Sequence, residues 1–389
     1  MARILYIDGH ESFALELAWQ AFSASSAYWP VARILAKLFL QLQMLTEASD
    51  LIDKSLLVQV DDPELHLQKS EVLLLRCELK RGFKEMDLSR ALKRSRCTSA
   101  TAANHKVHGL ADIKRRGKLC LIAQTTLGDT LLFSRYAKWI QQETGQDVTI
   151  YVQPPLLKLL RDNLQPIVKV KPVQECKSLP AGTALTLLSA PAIFETCQEH
   201  SRLAEPHLYA NSELVDQWRS CINPNSNELL VGINWHGSAL HAMSERYLSD
   251  IPLRAFECLA DLPAVRFISF QKGIGSEQLR NCSFGHLFVR CQDEITKEVG
   301  LDHMAAIMSL CDWIISDDSG PAHMAGNLGI PCIVLLPERI NWRWGSIKGK
   351  SPWYPNTLLI RKRHREDWSD LVADACKYLT ASTESDSAR

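Results

Sequence analysis

The sequence has no excess of charge of either sign, because its 44 lysines and arginines are balanced by 44 aspartates and glutamates. A protein that binds nucleic acid or an anionic membrane through a broad electrostatic surface usually carries a net positive charge, so we expect neither partner. Long apolar runs are also missing. The segment from Ile34 to Leu45 is interrupted by one lysine and two glutamines, which predicts no transmembrane segment. Residues Met1 to Tyr6 are too short and too mixed for a signal peptide, and we expect a cytoplasmic location.

Spacings typical of metal sites and disulfide frameworks are missing as well. The twelve cysteines are scattered from Cys77 to Cys376 without a CxxC pair, and the twelve histidines form no HExxH-like group. Cysteines placed inside apolar segments in this way are typical of reduced core residues. We therefore predict no disulfide framework, no metal site and no cofactor.

Glycine is almost absent from residues 13 to 95, where apolar residues recur at helical spacing. The segment from Pro30 to Ile52 resembles a tetratricopeptide helix pair, with Ala36 and Ala48 where the two helices would touch, and the segment from Pro63 to Met86 echoes it. The period is longer than that of tetratricopeptide repeats, so the pairs are either degenerate repeats or an ordinary helical bundle. We predict an all-α region over residues 1–100, followed by a polar linker from Cys97 to Lys118.

After the linker, short apolar runs alternate with amphipathic segments, which is typical of parallel sheets covered by helices. A polar segment, residues 222–227, divides these runs into two sets and predicts a hinge. The sequence thus predicts two Rossmann-like domains over residues 117–222 and 228–362, and a terminal helix over residues 365–382. The expected strands lie at Leu119 to Ala123, Val148 to Val152, Leu185 to Leu188, Leu229 to Asn234, Val265 to Phe270, Trp313 to Ser316 and Ile333 to Leu336.

The segment from Trp313 to Gly326 predicts a buried strand that turns directly into a helix. Asp318 and Ser319 are residue types that begin helices, and Pro321 suits a first helical turn. Unpaired backbone N–H groups at such a junction form an anion site, usually for phosphate. We expect Ser319 and Gly320 to contact the phosphates and Asp318 to hold the turn. His323 either donates to the phosphate or leaving group, or is a structural residue.

Three other strand ends carry candidate residues. Gly128 and Asp129 follow the first strand of the first set, where the Asp129 carboxylate is either a base facing the cleft or only a helix cap. Ser238 and Arg246 follow the first strand of the second set, and Lys272 follows the next strand. We expect Ser238 to approach a phosphate and the two cations to pair with a diphosphate, although Arg246 equally suits a surface charge. The basic run from Arg361 to Arg365 is expected to be a solvated loop.

These residues together resemble glycosyltransferase family 9, the lipopolysaccharide heptosyltransferases. Ser316 to Ala325 looks like the donor-site signature of that family, and Leu127-Gly128-Asp129 resembles its amino-terminal Gly-Asp motif. The match is closer to a bacterial group in which tetratricopeptide repeats precede a heptosyltransferase-like domain. Its further motifs are Val152-Gln153-Pro154-Pro155-Leu156, Leu187-Leu188-Ser189-Ala190-Pro191, Val265 to Lys272, Asn341-Trp342-Arg343-Trp344 and Ser351 to Pro355.

The resemblance covers Leu119 to Leu379 and implies a GT-B fold, in which two facing Rossmann-like domains hold the nucleotide sugar mainly on the second. It implies inverting transfer without a metal ion, with Asp129 as base and with the donor motif that contains Gly320, Pro321 and His323. Together with the candidates at the strand ends, the expected donor-binding residues are Ser238, Arg246, Lys272, Ser319, Gly320, Pro321 and His323. It also implies that the terminal helix packs back across the cleft. Where relatives have a glycine-rich loop, this chain has Gln124-Thr125-Thr126-Leu127, which leaves less room for close backbone approach.

The main hypothesis is therefore a transferase that moves a sugar from a nucleotide-sugar donor to a glycan, lipid-linked or protein acceptor. The helical region would bind the acceptor or a protein partner. One alternative is a GT-B binding or scaffold protein without turnover, and another is a nucleotide-sugar epimerase, which can share the two-domain shell. No motif specifies the sugar, the nucleobase or the acceptor.

Overall fold

The computed structural model describes most of the chain. The described residues are 11–24, 29–97, 109–178, 184–194, 202–203, 205–225, 227–237, 251–298, 300–338, 341–346, 349–363 and 366–387. They form an α/β protein with two separate parallel sheets, preceded by a run of helices.

Within the described residues, five helices lie before residue 98, and each packs against the next along the chain. They are α1 (Glu11–Ala24), α2 (Trp29–Gln41), α3 (Leu45–Val58), α4 (Pro63–Leu75) and α5 (Leu79–Cys97). Helix α4 shows why these boundaries form: the Asp62 carboxylate accepts the N–H groups of Glu64 and Leu65, each at 3.0 Å, and Pro63 suits the first turn. Ala36 and Ala48 are fully buried in the cluster between helices, as the sequence predicts. The tetratricopeptide character of the pairs stays a prediction.

The first sheet has four parallel strands in the order β3-β2-β1-β4. The strands are β1 (Lys118–Ile122), β2 (Asp147–Val152), β3 (Lys169–Pro172) and β4 (Ala184–Thr186). Its helices are α6 (Leu110–Arg116), α7 (Leu127–Phe133), α8 (Arg135–Thr144), α9 (Leu157–Leu164), α10 (Ala190–Ile193) and α11 (Ser212–Ile222), with 3₁₀ turns at Pro154–Leu156, Val173–Ser178 and Leu187–Ser189.

The second sheet has five parallel strands in the order β6-β5-β7-β8-β9. The strands are β5 (Leu229–Asn234), β6 (Val265–Ser269), β7 (Trp313–Ser316), β8 (Cys332–Leu336) and β9 (Thr357–Arg361). Its helices are α12 (Gln292–Lys297), α13 (Leu301–Met308), α14 (Gly320–Leu328) and α15 (Trp368–Ser387), with 3₁₀ segments at Leu253–Asp261, Ser276–Asn281 and Gly285–Leu287. The inner strands β1, β5 and β7 are short and their central residues are buried on both faces, as parallel sheets require.

All seven predicted strands are present, but two strands were missed. β3 and β9 each lie at a sheet edge, and β3 consists of Lys169-Val170-Lys171-Pro172, which has only one buried apolar residue. An edge strand has one neighbour and more exposure, so β3 lacks the apolar run on which the prediction depended. β9 does contain such a run, Leu358 to Ile360, and the prediction overlooked it. The prediction for Leu185 to Leu188 was too long, because the chain turns into 3₁₀ geometry at Leu187.

Two further expectations need correction. The predicted linker contains α6, which carries Lys114 to Arg116, while residues 98–108 lie outside the described part of the chain. Arg361 is not in a solvated loop: it ends β9, and its guanidinium donates to the Gly345 carbonyl at 3.0 Å.

The terminal helix α15 packs on the second sheet. Leu371, Val372 and Leu379 are buried in a cluster with Phe256 and Phe267 of that half. The predicted return of this helix across the cleft stays a prediction. Within the described residues, α15 and every other helix fall short of the length or apolarity needed to cross a bilayer.

The largest of three hydrophobic clusters contains residues from both halves and from the helical region. It includes Phe83 of α5, Leu131 of α7 and Met324 of α14. Polar contacts also join the two halves. For example, the buried Arg135 guanidinium donates to the Asn327 side-chain oxygen at 2.6 Å. The halves therefore meet where α7 contacts α14, each helix following a strand at the carboxyl edge of its own sheet.

Candidate functional site

The N-terminus of α14 has the geometry of an anion site. Ser319 occupies the N-cap position in an extended conformation, but its side chain makes no capping bond and instead donates to the Asp317 carboxylate. Pro321 lies in the first turn, as predicted. A Cβ added to Gly320 would meet no atom within 4 Å, so open space adjoins the first turn. Free N–H groups at the positive end of a helix dipole favour a bound anion there.

Buried polar side chains hold this junction in place. The Asn234 amide, at the end of β5, donates to Asp317 at 2.9 Å and to the Ser319 hydroxyl at 3.1 Å. The neighbouring loop is held by Gln271, whose carbonyl oxygen accepts the backbone N–H groups of Trp235 and His236 at 3.1 and 2.8 Å. These amides join the ends of three adjacent strands, β6, β5 and β7, into one rigid edge. Sequence reasoning did not select Asn234 or Gln271.

Asp318 is bound to a later segment of the chain. Its two carboxylate oxygens accept from the Trp344 indole N–H at 2.6 Å and from the Asn341 amide at 2.7 Å. Because both oxygens are used in this way, the side chain ties residues 341–344 to the start of α14.

Gly128 and Asp129 lie in the first turn of α7, opposite α14. The helix begins at Leu127, and Thr126 caps it by accepting the Asp129 N–H at 3.1 Å. The alternative in which Asp129 is only the cap is therefore wrong. A Cβ on Gly128 would lie 2.8 Å from Cδ2 of His323, so the missing side chain permits the close approach of the two helices. Asp129 is only 1% exposed.

The Asp129 carboxylate forms a bidentate ion pair with Arg343. Nε donates to Oδ1 at 2.6 Å and Nη2 donates to Oδ2 at 2.9 Å. Burial by itself raises the pKa of Asp129, but the charge and hydrogen bonds of Arg343 outweigh it and hold the pKa below its usual value. Asp129 is therefore ionised at neutral pH.

His323 is a buried, neutral residue beside this pair. Its ring stacks on Trp344 with centroids 4.8 Å apart, and Nδ1 lies 3.1 Å from the Tyr354 hydroxyl. Burial lowers the pKa of His323 to about 4, although Asp318 and Asp129 act in the opposite direction. At neutral pH the imidazole is thus a hydrogen-bonding group without charge.

Of the remaining predicted donor residues, Lys272 is the one that the structure describes. The Lys272 ammonium donates to the carbonyls of Ile295 and of Thr296, the latter at 3.0 Å, and so stabilises the end of α12. Burial lowers the pKa of Lys272 to about 8. Ser238 and Arg246 lie outside the described residues. The roles of all three in donor binding stay predictions.

Arg343 is a further residue that sequence reasoning missed. It stands in the Asn341 to Trp344 motif, but nothing in the sequence links it to Asp129, which is 214 positions away. The sequence offered one signal for a functional role of Arg343, its position next to a tryptophan on which it could stack. The structure brings Asp129, His323 and Arg343 together between the two halves.

No protein-family model matches the sequence, and no curated protein matches it. Solved structures that are similar to the chain include a glycosyl transferase family 9 protein from Veillonella parvula DSM 2008, with 14% identity over 68% of this chain and 97% of that one, at a TM-score of 0.45. Another is the E. coli ADP-heptose lps heptosyltransferase II, with 15% identity over 68% and 98% at 0.45. A third is the E. coli heptosyltransferase WaaC with ADP, with 13% identity over 68% and 99% at 0.42.

Proposed function

We propose that the protein is a glycosyltransferase of the GT-B type that moves a sugar from a nucleotide-sugar donor to a glycan, lipid-linked or protein acceptor. The observation that carries the proposal is the meeting of two features between the halves. The uncapped N-terminus of α14 supplies an anion site from the second half, and the ionised Asp129 carboxylate comes from the first half. Gly128 and His323 are in contact, which brings the two features together.

This arrangement suits an inverting displacement. The diphosphate of the donor would bind at Ser319 and Gly320, where helix N–H groups stabilise the negative charge that develops as the bond from the sugar to the diphosphate breaks. Asp129 would take the proton of the acceptor hydroxyl as its oxygen attacks the sugar. Transfer in this form uses backbone dipoles and side-chain donors on the diphosphate and proceeds without a metal ion.

Arg343 and His323 would have distinct roles in that reaction. Arg343 keeps Asp129 ionised, so the base is ready to accept a proton at neutral pH. His323 is uncharged and would donate one hydrogen bond towards the leaving phosphate while Tyr354 holds the other ring nitrogen. Lys272 would supply a positive charge to the diphosphate.

Donor binding is tested by calorimetry and thermal shift with ADP, GDP, UDP, CDP and their sugars. Gly320→Asp places a carboxylate in the open space at the anion site, and like-charge repulsion should weaken binding of the preferred nucleotide at least tenfold. Gly109→Asp is the matched control, because Gly109 also precedes a helix in open space, but α6 leads into the amino end of β1. Failure of every nucleotide and nucleotide sugar to bind would contradict the proposal.

Turnover is tested with Asp129→Asn. The variant should retain the donor affinity and lose transfer by orders of magnitude, since the amide cannot take a proton from the acceptor. Asp62→Asn is the matched control, because Asp62 is also buried and paired with an arginine, Arg33, but lies in the helical region. Equal loss of transfer in both variants would show that the effect arises from misfolding.

A binding protein without turnover is the second candidate, and one observation favours it. Both oxygens of Asp129 already accept from Arg343, and the carboxylate is almost fully buried. A base must still reach the acceptor hydroxyl. If the wild type binds a nucleotide sugar, gives no product with any acceptor, and Asp129→Asn changes nothing, the binding role is the correct one.

A further inference from the structure

The segment 341–346, called here the arginine loop, contacts all three parts of the molecule. Arg343 reaches Asp129 of the first half, and Asn341 and Trp344 reach Asp318 of the second half. The third attachment is to the helical region, and it is as extensive as the other two.

An aromatic stack connects the helical region to the Arg343 guanidinium. Phe83 of α5, which is fully buried, packs edge-on against the Trp342 ring with centroids 5.8 Å apart. The Arg343 guanidinium carbon lies 4.4 Å from the centroid of the same Trp342 ring. Such contact between an arginine and a tryptophan face is attractive and fixes the plane of the guanidinium. The bidentate pair with Asp129 depends on that plane.

Backbone hydrogen bonds hold the other end of the arginine loop. The Leu75 carbonyl, at the last residue of α4, accepts from both the N–H and the hydroxyl of Ser346, at 2.9 and 2.6 Å. The carbonyls in the last turn of a helix have no partner within the helix, so the loop satisfies one of them. The Gln43 amide, after α2, also donates to the Glu338 carbonyl at 2.6 Å, just before this segment.

We propose that the helical region positions Arg343 on Asp129, through the Phe83 ring and the Leu75 carbonyl, and thereby controls the carboxylate on which transfer depends. Phe83, Trp342 and Ser346 are positioning residues in this scheme. The inference rests on the proposed function for its catalytic consequence, but the positioning itself can be measured without substrate. A partner or acceptor that shifts α4 or α5 would act on the site through the same contacts.

The first experiment measures hydrogen–deuterium exchange of peptides that cover the arginine loop. Phe83→Leu and the milder Ser346→Ala should each raise exchange in residues 341–346 several-fold over the wild type, because each removes one attachment. Phe256→Leu is the matched control, since Phe256 is equally buried but lies in the separate cluster under α15. Unchanged exchange in the arginine loop of both variants would overturn the proposal, as would an equal increase in the control.

The second experiment measures kcat/KM against pH. With Arg343 less firmly held, the pKa of Asp129 should rise, so the acid limb of the profile should move to higher pH in Phe83→Leu and Ser346→Ala but not in Phe256→Leu. An acid limb that stays in place would refute the control of Asp129 by the helical region. Absence of transfer in the wild type would refute the proposed function instead, and the exchange experiment would still decide the positioning.

Discussion

Removing Arg343 should destabilise the protein strongly at neutral pH. In Arg343→Met the aliphatic stem is kept, but the Asp129 carboxylate stays buried without its cation. Breaking a buried ion pair by removing one partner costs about 3–5 kcal/mol. Because the Arg343 side chain is 19% exposed and the Asp129 side chain 1%, water partly screens the pair, and we expect about 3 kcal/mol.

The pH dependence of this loss follows from the pKa of Asp129. In the wild type that pKa is depressed, so the pair contributes stability above the unfolded value of about 3.9 and loses it as the pH falls through the lower folded value. In Arg343→Met the main influence that opposes burial is gone, and burial raises the pKa of Asp129 against only the smaller opposing effects of His323 and Thr125. The variant therefore takes up a proton on folding at mildly acidic pH, and its deficit relative to the wild type should shrink as the pH falls from 7 to 4.

Urea unfolding at pH 7, 5.5 and 4 measures both effects. Arg363→Met is the matched control, because its ion pair with Glu366 is exposed and should contribute less than about 0.5 kcal/mol. The double variant Asp129→Asn/Arg343→Met should recover about 2 kcal/mol relative to the sum of the single variants, since no buried charge is left behind. A deficit at pH 7 no larger than that of the control, or one that does not shrink at low pH, would refute the reasoning.

Three further predictions concern residues around the same contact. Gly128→Ala should cost about 1–3 kcal/mol in urea unfolding, because its Cβ would lie 2.8 Å from the His323 ring, and a loss below the error of the measurement would contradict the close approach. Gly320→Ala should leave the unfolding midpoint nearly unchanged but weaken nucleotide binding severalfold in calorimetry, since its Cβ enters only open space; a stability loss without a binding loss would be evidence against an anion site. His323→Gln should flatten the fall in stability between about pH 6.5 and 4, the window in which the unfolded histidine is protonated and the folded one is not; a wild-type stability that stays level across that window would show that His323 is not held neutral.

Much of the fold was accessible from the sequence because it depends on local patterns. Short apolar runs separated by turn residues predicted seven of the nine described strands, and the scarcity of glycine before residue 95 predicted the helices. The edge strand β3 was missed because exposure at a sheet edge relaxes the apolar pattern, whereas β9 was missed although it contains the apolar run Leu358 to Ile360.

The candidate site was only partly accessible in the same way. The strand-to-helix junction at Ser319 and Gly320 was predicted correctly, since both the strand and the helix start are local signals, and its role as an anion site stays a prediction. The role of Asp129 was left open between base and cap. The structure excludes the cap, because Thr126 occupies the N-cap position. Both Thr126 and Asp129 are residue types that cap helices, and the sequence by itself does not show which of them is the cap.

By itself the sequence determined the elements and the residue types at their ends, because hydrophobic period, capping and turn chemistry act over a few residues. Only the tertiary structure decided which of those ends meet. Arg343 lies on Asp129, and Phe83 of the helical region lies behind Trp342, because one hydrophobic core joins segments that are hundreds of residues apart. Burial in that core then changes the protonation of the site residues. The Asp129 carboxylate is paired with Arg343 and ionised, and the His323 imidazole is neutral, whereas in water each group would titrate independently.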